Sequence, residues 1–265
     1  MSQPLVTRPQ LVADLRALGA TAGQTVMLHA SVKAIGWVVG GPDVILDALL
    51  EILTPTGTLM MYVGYEDPIH GLQEWTPEHQ QAYRAAYPPF DPATTRAYRE
   101  WGILTEYLRT RPNAHRSLNP GASMAAVGAQ AQWLTQDHPL QYGYGQGSPL
   151  AKLVKLEGKV LILGSPLQHL TLIHHAEHLA NIPDKHIVHY SVPIVGMGWV
   201  EIEEYDTGDG IRPWAGVDYF QLIAEAYVAT GKAQVGTVGQ ARSYLFAAPA
   251  LTTFAVNWLE KTFNS

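Results

Sequence analysis

The chain of 265 residues is 47% hydrophobic and only 15% charged, a balance that excludes a disordered chain and suits a loop-rich globular enzyme. Its formal net charge of -6 disfavours nucleic acid and anionic membranes as partners and is compatible with a cationic ligand. Because the sequence contains no cysteine, disulfides, thiolate metal sites and cysteine nucleophiles are excluded.

Helices and strands are predicted to alternate along most of the chain. Thr7 is predicted to cap a first helix that stops at Gly19. Further helices are predicted at 41–55, 101–112, 148–158, 170–182, about 216–231 and 249–263. Apolar runs predict strands at 25–31, 57–63 and 159–165, a strand turning into a helix at 123–131, and a β-hairpin over 187–207. This alternation favours a layered α/β fold with a largely parallel central sheet and helices around it.

A long irregular stretch interrupts the pattern at about 64–98 and is rich in Pro, Tyr, His and Glu. The sequence has no internal repeat, low-complexity tract or clear linker. A single domain over residues 1–265, with a long substrate-loop insertion, is therefore the simplest interpretation. The beginning of the sequence lacks an apolar signal segment and no apolar run approaches membrane-spanning length, so we expect a cytoplasmic protein, monomeric or homodimeric.

Several common catalytic motifs do not occur. The chain lacks GxSxG, the nucleophile elbow of α/β-hydrolases. It also lacks the phosphate loop GxxxxGK[ST] and the dinucleotide motif GxGxxG, which removes the usual nucleotide sites. The zinc motif HExxH is absent as well.

The segment TLIHHAEH, at 171–178, concentrates three histidines and a glutamate directly behind a predicted buried strand. On a helix His174 and His178 share a face, and Glu177 lies close to His174. Three interpretations stay open: a zinc site, which would need further ligands, a solvated helix face, and a proton-transfer pair. The last is favoured, with Glu177 orienting His174 and stabilising its imidazolium while it takes a proton from a substrate.

A second candidate site is the loop that follows the first predicted strand. Small residues and one cation lie there between a strand end and a helix, where ligands of parallel α/β sheets collect. Exposed backbone N–H groups beside Ser31 and Lys33 could hold a pyrophosphate, although a structural turn fits equally well. Arg109, Arg111 and Arg116, near Ser117, would pair with phosphates or be solvated.

Taken together, eight ordered blocks resemble one family nearly end to end. They are LHASVKAIG, PTGTLMMY, PPFDPATT, RSLNPGASMAAVG, GQGSPL, VLILGSPLQHLTLIHHAE, NIPDKHIVHY and EEYDTGDGI. They identify the chain as similar to the aminoglycoside 3-N-acetyltransferases, antibiotic acetyltransferases whose fold is not that of the Gcn5-type enzymes. One departure is Asn119, where the family often has His. If that histidine takes part in binding, the affinity for cofactor or substrate would differ here; if it only shapes a turn, Asn serves equally.

The resemblance implies acetyl-CoA as co-substrate, an aminoglycoside as acceptor, resistance as the outcome, and no metal. It implies that His174 acts on the amine that is acylated, and that Glu177 corresponds to the glutamate of the family's T-x-x-H-x-x-E pattern. A protonated amine must lose a proton before it attacks a thioester, and a histidine with an ordinary pKa near 6.5 suits that step. Thr171 would donate to the tetrahedral oxyanion in a direct transfer. We expect His175 to be structural.

The remaining expected contacts divide between the two substrates. The expected cofactor contacts are Ser31, Val32, Lys33, Gly36, Arg116 and Ser117. Carboxylates over a cleft would attract ammonium groups, so the expected substrate contacts are Tyr65, Asp67 and Asp206, followed by the acids Glu66, Glu203, Glu204 and Asp209. Three alternatives stay open: a family member acting on a non-antibiotic amine, a non-catalytic binder of cationic antibiotics, and a metallohydrolase.

Overall fold

The computed structural model describes residues 4–65 and 74–264. Its strands are β1 (Leu5–Val6), β2 (Thr25–Ala30), β3 (Trp37–Val38), β4 (Thr58–Tyr62), β5 (His115–Arg116), β6 (Met124–Gly128), β7 (Lys159–Leu163), β8 (Ile187–Ile194), β9 (Gly198–Tyr205), β10 (Gln234–Val238) and β11 (Ala241–Ala247). Within those ranges, no helix is both long and apolar enough to cross a membrane.

The helices lie between these strands. They are α1 (Arg8–Ala17), α2 (Val32–Ile35), α3 (Asp43–Leu53), α4 (Pro77–Ala86), α5 (Ile103–Arg109), α6 (Ala131–Thr135), α7 (Pro149–Lys155), α8 (Leu172–Leu179), α9 (Tyr219–Ala229) and α10 (Ala248–Phe263), with 3₁₀ turns at Arg99–Trp101 and Leu167–His169. Thr7 caps α1 as predicted, because its hydroxyl accepts a hydrogen bond from the Gln10 N–H.

Seven strands form the central sheet in the order β10-β11-β7-β2-β4-β6-β5. The α/β class with helices around a central sheet is confirmed, but the prediction of a largely parallel sheet is wrong. Only β2 pairs in parallel, with β4 on one side and β7 on the other. The four outer pairings are antiparallel. Short connections join β10 to β11 and β5 to β6, whereas long stretches of chain separate β4 from β6 and β7 from β11.

Both faces of the sheet are covered, which explains the continuous apolar runs of the central strands. Alternate residues of one strand enter two different cores. In β2, Met27 packs on the face that carries α7, α8, α9 and α10, while Val26 and Leu28 pack on the face that carries α1, α3 and α5. In β7, Val160 and Leu161 divide in the same way. The sheet is therefore the middle of three layers.

The three parallel strands place their carboxyl ends at one edge of the sheet. β2 continues there into Ser31, β4 ends at Tyr62, and β7 continues into Ser165. The segment after β7 leads through a 3₁₀ turn directly into α8. The helix that carries the histidines therefore starts beside the ends of all three strands.

Two parts of the chain differ from the prediction. The stretch 64–98 is not wholly irregular, since α4 starts at the Thr76 cap with Pro77 in its first turn. Residues 234–247 form the hairpin β10–β11, which was not predicted, and Gly239 adopts the positive φ of 60° that its two-residue turn requires. The predicted hairpin at 187–207 is confirmed as β8–β9.

Asn119 holds a loop together through its amide group. Its Nδ2 donates to the carbonyl oxygens of Pro139 and Leu140 at 2.8 and 3.1 Å, and its Oδ1 accepts from the Ala122 N–H at 2.9 Å. The side chain is buried, with 1% of its surface exposed. These contacts support the turn-element interpretation of this position.

Replacing Asn119 by Ala is expected to lower the free energy of unfolding by about 2–4 kcal/mol, because buried backbone groups lose their partners. Denaturant unfolding measures the change. The matched control is Asn257→Ala on the exposed side of α10, for which we expect a change under about 0.5 kcal/mol. Equal stability of the two variants would contradict the assignment of Asn119 as a loop clamp.

Candidate active site

A cavity of about 680 Å³ opens at the carboxyl ends of the parallel strands. Each of those strands contributes to its wall, through His29 and Ala30 at the end of β2, Met61 and Tyr62 at the end of β4, and Ser165 after β7. Ligands of α/β proteins collect at such an edge, as the sequence predicted. The wall is completed by residues of α5, α8, α9 and the segment 207–210.

His174 and Glu177 form the pair that the sequence predicted. His174 Nδ1 lies 2.7 Å from Glu177 Oε2 across one turn of α8. The histidine side chain is 17% exposed and lines the cavity, whereas the glutamate side chain is 2% exposed. The imidazole ring packs between Tyr144 and Phe220, at centroid distances of 4.9 and 4.6 Å. The Glu177 contact and the two aromatic rings therefore fix the orientation of the imidazole.

The second carboxylate oxygen of Glu177 is also occupied. Tyr219, the first residue of α9, donates its hydroxyl proton to Glu177 Oε1. Burial and the neighbouring Glu177 charge raise the pKa of Tyr219 well above its usual value, so the phenol keeps its proton. Glu177 thus has a donor on each oxygen, which is what a buried carboxylate requires.

The other two histidines of α8 face different neighbours. His178 Nε2 lies 2.9 Å from Glu204 Oε1 of β9, at ion-pair distance without hydrogen-bond alignment. His175 is buried and its Nδ1 lies 2.8 Å from the Tyr144 carbonyl oxygen, which matches the structural role expected for it. Among the residues that the structure describes, no group of three or more His, Asp and Glu has the geometry of a metal site. The segment TLIHHAEH therefore divides into a His174–Glu177 pair and a separate His178–Glu204 pair.

Thr171 lies just before α8 and lines the same cavity as His174. The residue is 9% exposed, and its hydroxyl donates a weak 3.4 Å hydrogen bond to the His169 carbonyl oxygen. A hydroxyl held so loosely is available to turn toward a ligand in the cavity.

The loop after β2 reaches the cavity through part of its predicted set. Ser31, Val32 and Lys33 line the cavity wall, and the Ser31 hydroxyl caps α2 by accepting from the Ala34 N–H at 3.3 Å. Gly36 ends α2 with a φ of 107°, and a Cβ there would lie 2.6 Å from Gln240 Nε2. Gly36 therefore shapes the backbone and packs away from the wall.

Arg116 and Ser117 are not brought to the cavity. Arg116 donates through all three guanidinium nitrogens, to the Ser123 hydroxyl at 2.8 Å and to the Thr95 and Gly64 carbonyl oxygens. Burial lowers the pKa of Arg116 to about 10. The Ser117 side chain is fully buried and accepts from the Met124 N–H at 2.9 Å. Both side chains brace β5 against its neighbours, and this geometry gives no support to the expected phosphate contacts.

The two other arginines of that cluster are paired with acids. Arg109 donates to the Glu106 carboxylate within α5, and Arg111 donates to Asp43 and Asp47 of α3 at 2.5 and 2.7 Å. The first pair lies within α5 and the second ties the segment after α5 to α3, so these arginines form no phosphate-binding cluster around Ser117.

The predicted substrate contacts lie in three different settings. Tyr65 donates its hydroxyl proton to the Tyr87 hydroxyl at 2.7 Å, beside the ring of Phe90. Asp206 Oδ1 accepts from the backbone N–H groups of Gly208 and Asp209, both at 2.9 Å, so it builds a turn. Asp67, together with Glu66, lies outside the described residues. Glu203 and Glu204 pair with histidines of the hairpin and of α8.

Sequence reasoning missed several residues of the wall. The acids Glu100 and Asp218 line the wall, in addition to Asp209, which is among the acids expected from the sequence. Trp101 adds an aromatic face that packs at a centroid distance of 5.5 Å on Tyr62. The acids carried only a compositional signal, because an exposed acid in a loop is usually solvated and nothing local marks its direction.

His29 is a further wall residue that the sequence did not single out. Burial, with a smaller contribution from His169, lowers the pKa of His29 to about 3, so its imidazole is neutral at physiological pH. Its Nε2 has no hydrogen-bond partner among the described residues. Besides His174, the cavity wall therefore contains the imidazole of His29, which is neutral at physiological pH.

A histidine at a cavity wall, oriented by a buried glutamate, has the geometry of a candidate proton-transfer group. The profile of the aminoglycoside 3-N-acetyltransferase family matches residues 27–260. The chain belongs to this family of acyltransferases, which confirms the resemblance drawn from its motifs.

Two named relatives are similar in sequence to this chain over nearly its whole length. Aminoglycoside N(3)-acetyltransferase III of Pseudomonas aeruginosa is 54% identical over 97% of this chain and 95% of its own length. Aminoglycoside N(3)-acetyltransferase VII of Streptomyces paromomycinus is 43% identical over 97% and 92%.

Two solved structures extend the similarity to the fold. The binary complex of AAC-IIIb with CoASH is 48% identical, covers 98% of each chain and superposes with a TM-score of 0.93. AAC-VIa bound to sisomicin is 34% identical, covers 99% of this chain and all of that chain, and superposes with a TM-score of 0.91. The three-layer architecture is thus the one found in these acetyltransferases.

Proposed function

We propose that the protein transfers the acetyl group of acetyl-CoA to the 3-amino group of the 2-deoxystreptamine ring of aminoglycosides, and so confers resistance to them. The observation that carries the proposal is the His174–Glu177 pair, which opens on a cavity lined by acids. Family membership supports it, as do the similar proteins bound to CoASH and to sisomicin. Acetyl-CoA is the co-substrate.

His174 is the general base of the proposed reaction. Glu177 occupies Nδ1, so Nε2 is the ring nitrogen left to accept a proton from the acceptor amine. The freed lone pair attacks the thioester carbonyl carbon and forms a C–N bond. As the tetrahedral intermediate collapses, the C–S bond breaks and the CoA thiolate leaves, with the imidazolium as the proton donor for it. Glu177 stabilises the imidazolium between these two steps. The acylated nitrogen releases its second proton to solvent, so that ammonium and thioester give amide, thiol and one proton.

The oxyanion of that intermediate needs a hydrogen-bond donor near the base. Thr171 lines the cavity wall, one helical turn before His174, and its hydroxyl has only a weak contact of 3.4 Å with the His169 carbonyl oxygen. We assign Thr171 as the hydrogen-bond donor to the oxyanion. Its hydroxyl breaks only a weak hydrogen bond when it turns toward the transition state, so little of the new stabilisation is lost.

The two substrates differ in charge, and the cavity wall reflects this. Lys33, with the Ser31 and Val32 backbone, suits the phosphates of acetyl-CoA. Glu100 and Asp209 are exposed carboxylates that suit the ammonium groups of an aminoglycoside. Asp206 acts on the same substrate by holding the turn that carries Asp209.

A thiol-release assay with acetyl-CoA and a panel of aminoglycosides tests the function itself. We expect thiol release only when an aminoglycoside is present, and NMR of the product should locate the acetyl group on the 3-amino nitrogen. Saturable aminoglycoside binding without thiol release would instead identify a binding protein. Thiol release with other amines alone would place the acceptor outside the antibiotics.

The variant His174→Ala is expected to lower kcat by roughly two to four orders of magnitude, the usual contribution of a positioned base. Glu177→Gln should cost less, since it keeps the shape and removes the charge. Steady-state kinetics on folded protein measure both effects. The matched control is His115→Ala on the exposed strand β5, which should leave kcat near wild type. A kcat for His174→Ala within a few-fold of wild type would remove His174 from the mechanism.

Lys33→Ala is expected to raise the KM for acetyl-CoA about 10-fold with little change in kcat, because a charge-assisted contact to phosphate is lost. Kinetics with varied acetyl-CoA at a saturating aminoglycoside give both constants. Lys261→Ala, on the exposed face of α10, is the control for loss of one positive charge. The same KM in both variants would exclude Lys33 from the cofactor contacts.

Asp209→Asn is expected to raise the KM for the aminoglycoside about 10-fold at low salt and to leave the KM for acetyl-CoA unchanged. The ratio to wild type should shrink as salt rises, because ions screen the attraction within about 8–10 Å. Asp206→Asn should act in the same direction by loosening the turn. Glu225→Gln, on the exposed side of α9, controls for net charge. An unchanged aminoglycoside KM in both Asp variants would refute the acidic-wall interpretation.

A further inference from the structure

The hydroxyl of Tyr219 is held in place by the packing of its ring. Tyr219 is 6% exposed and lies edge-on to Trp214, Phe220 and Phe263 at centroid distances of 5.9, 5.3 and 5.7 Å. Such aromatic packing leaves the ring little freedom. The hydroxyl is therefore a fixed donor to Glu177 Oε1 and not an occasional one.

The same hydroxyl also contacts the segment that follows the Asp206 turn. The Ile211 N–H donates to the Tyr219 hydroxyl oxygen at 3.4 Å. Gly210 has a φ of 89°, and a Cβ at this position would lie 3.1 Å from that oxygen. Residues 207–210 line the cavity, so the backbone beside the proposed acceptor touches the hydroxyl that holds Glu177.

We propose that Tyr219 is a positioning residue that links the 206–211 segment to the base, through hydrogen bonds from the Ile211 N–H to Tyr219, from Tyr219 to Glu177, and between Glu177 and His174. The hydroxyl fixes the rotation of the carboxylate and disperses part of its negative charge. The negative charge of Glu177 that acts on His174 then depends on the Tyr219 hydroxyl and on the 206–211 segment that contacts this hydroxyl. The proposal rests on His174 acting as the base.

Among the described residues, the titratable groups around this chain of hydrogen bonds come from four elements. Glu177 meets His174 on its own helix, Tyr219 from α9 and the field of Lys185 from the segment before β8. His174 also packs on Tyr144 from the segment before α7, and burial raises the pKa of that phenol, so it adds no charge. Tyr219 also feels the charge of Asp218, the cap of α9. Removing the Tyr219 hydroxyl therefore changes one donor and leaves these charges in place.

Tyr219→Phe tests the proposal, because it keeps the ring and removes only the hydroxyl. We expect kcat to fall about 10- to 100-fold, the effect of losing one hydrogen bond to a charged group, with an unchanged KM for acetyl-CoA. The acidic limb of the kcat/KM profile should move to higher pH. Without the hydroxyl, the full carboxylate charge of Glu177 stabilises the His174 imidazolium, so a higher pH is needed to form the free base. A role in packing alone would lower the melting temperature and leave the pH profile in place.

Tyr227→Phe is the matched control, since Tyr227 is a buried tyrosine of the same helix that packs on Phe246 and Phe254 in the core. We expect its kcat and pH profile to match wild type. If wild type is active and His174→Ala is not, but Tyr219→Phe behaves like Tyr227→Phe, this proposal fails while the proposed function stands. An inactive wild type would overturn the proposed function instead.

A second variant decides the question if Tyr219→Phe does not fold. Gly210→Ala pushes a methyl group against the Tyr219 hydroxyl from the segment side, without changing any residue of α8 or α9. We expect a smaller loss of kcat and a displaced acidic limb. A pH profile identical to wild type in folded Gly210→Ala would overturn the link between the segment and the base.

Discussion

The site depends on one buried charge. Glu177 is 1% exposed, and a carboxylate removed from water must be compensated by donors at close range. His174 supplies one from the same helix, and Tyr219 supplies the other from α9. The hydrogen bonds of Glu177 are therefore complete only when α8 and α9 pack together on the sheet, so tertiary packing completes the pair that the local sequence only suggests.

The sheet explains why this pair meets a cavity. A mixed sheet of seven strands keeps three adjacent parallel strands at its centre, and their carboxyl ends meet at the edge where the cavity opens. The outer strands β5 and β10 run in the same direction as these three, but an antiparallel strand separates each of them from the central group. The strand ends that line the cavity are those of β2, β4 and β7, while Arg116, Ser117 and Asn119 on the β5–β6 side form hydrogen bonds with backbone groups.

The sequence was sufficient where a signal is local. The spacing of His174 and Glu177 on one helix predicted their contact, and Thr76-Pro77 and Gly239-Gln240 are local signals for α4 and the last hairpin. Contacts between distant residues leave no such mark. Tyr219 lies 42 residues after Glu177, and nothing in its own segment indicates its partner. The cluster of arginines near Ser117 predicted a phosphate contact for Arg116, whereas its backbone partners Thr95 and Gly64 are distant in sequence and could not be predicted.

Asp206 is an acid whose observed role is to hold a turn. Its carboxylate accepts hydrogen bonds from the N–H groups of Gly208 and Asp209. That turn carries Asp209 at the cavity wall and continues into Ile211, whose N–H contacts Tyr219. In the proposed function, the acid that would attract an ammonium group and the backbone that contacts the Glu177 donor therefore lie on one short segment. Recognition of the acceptor and orientation of the base would then depend on the same turn.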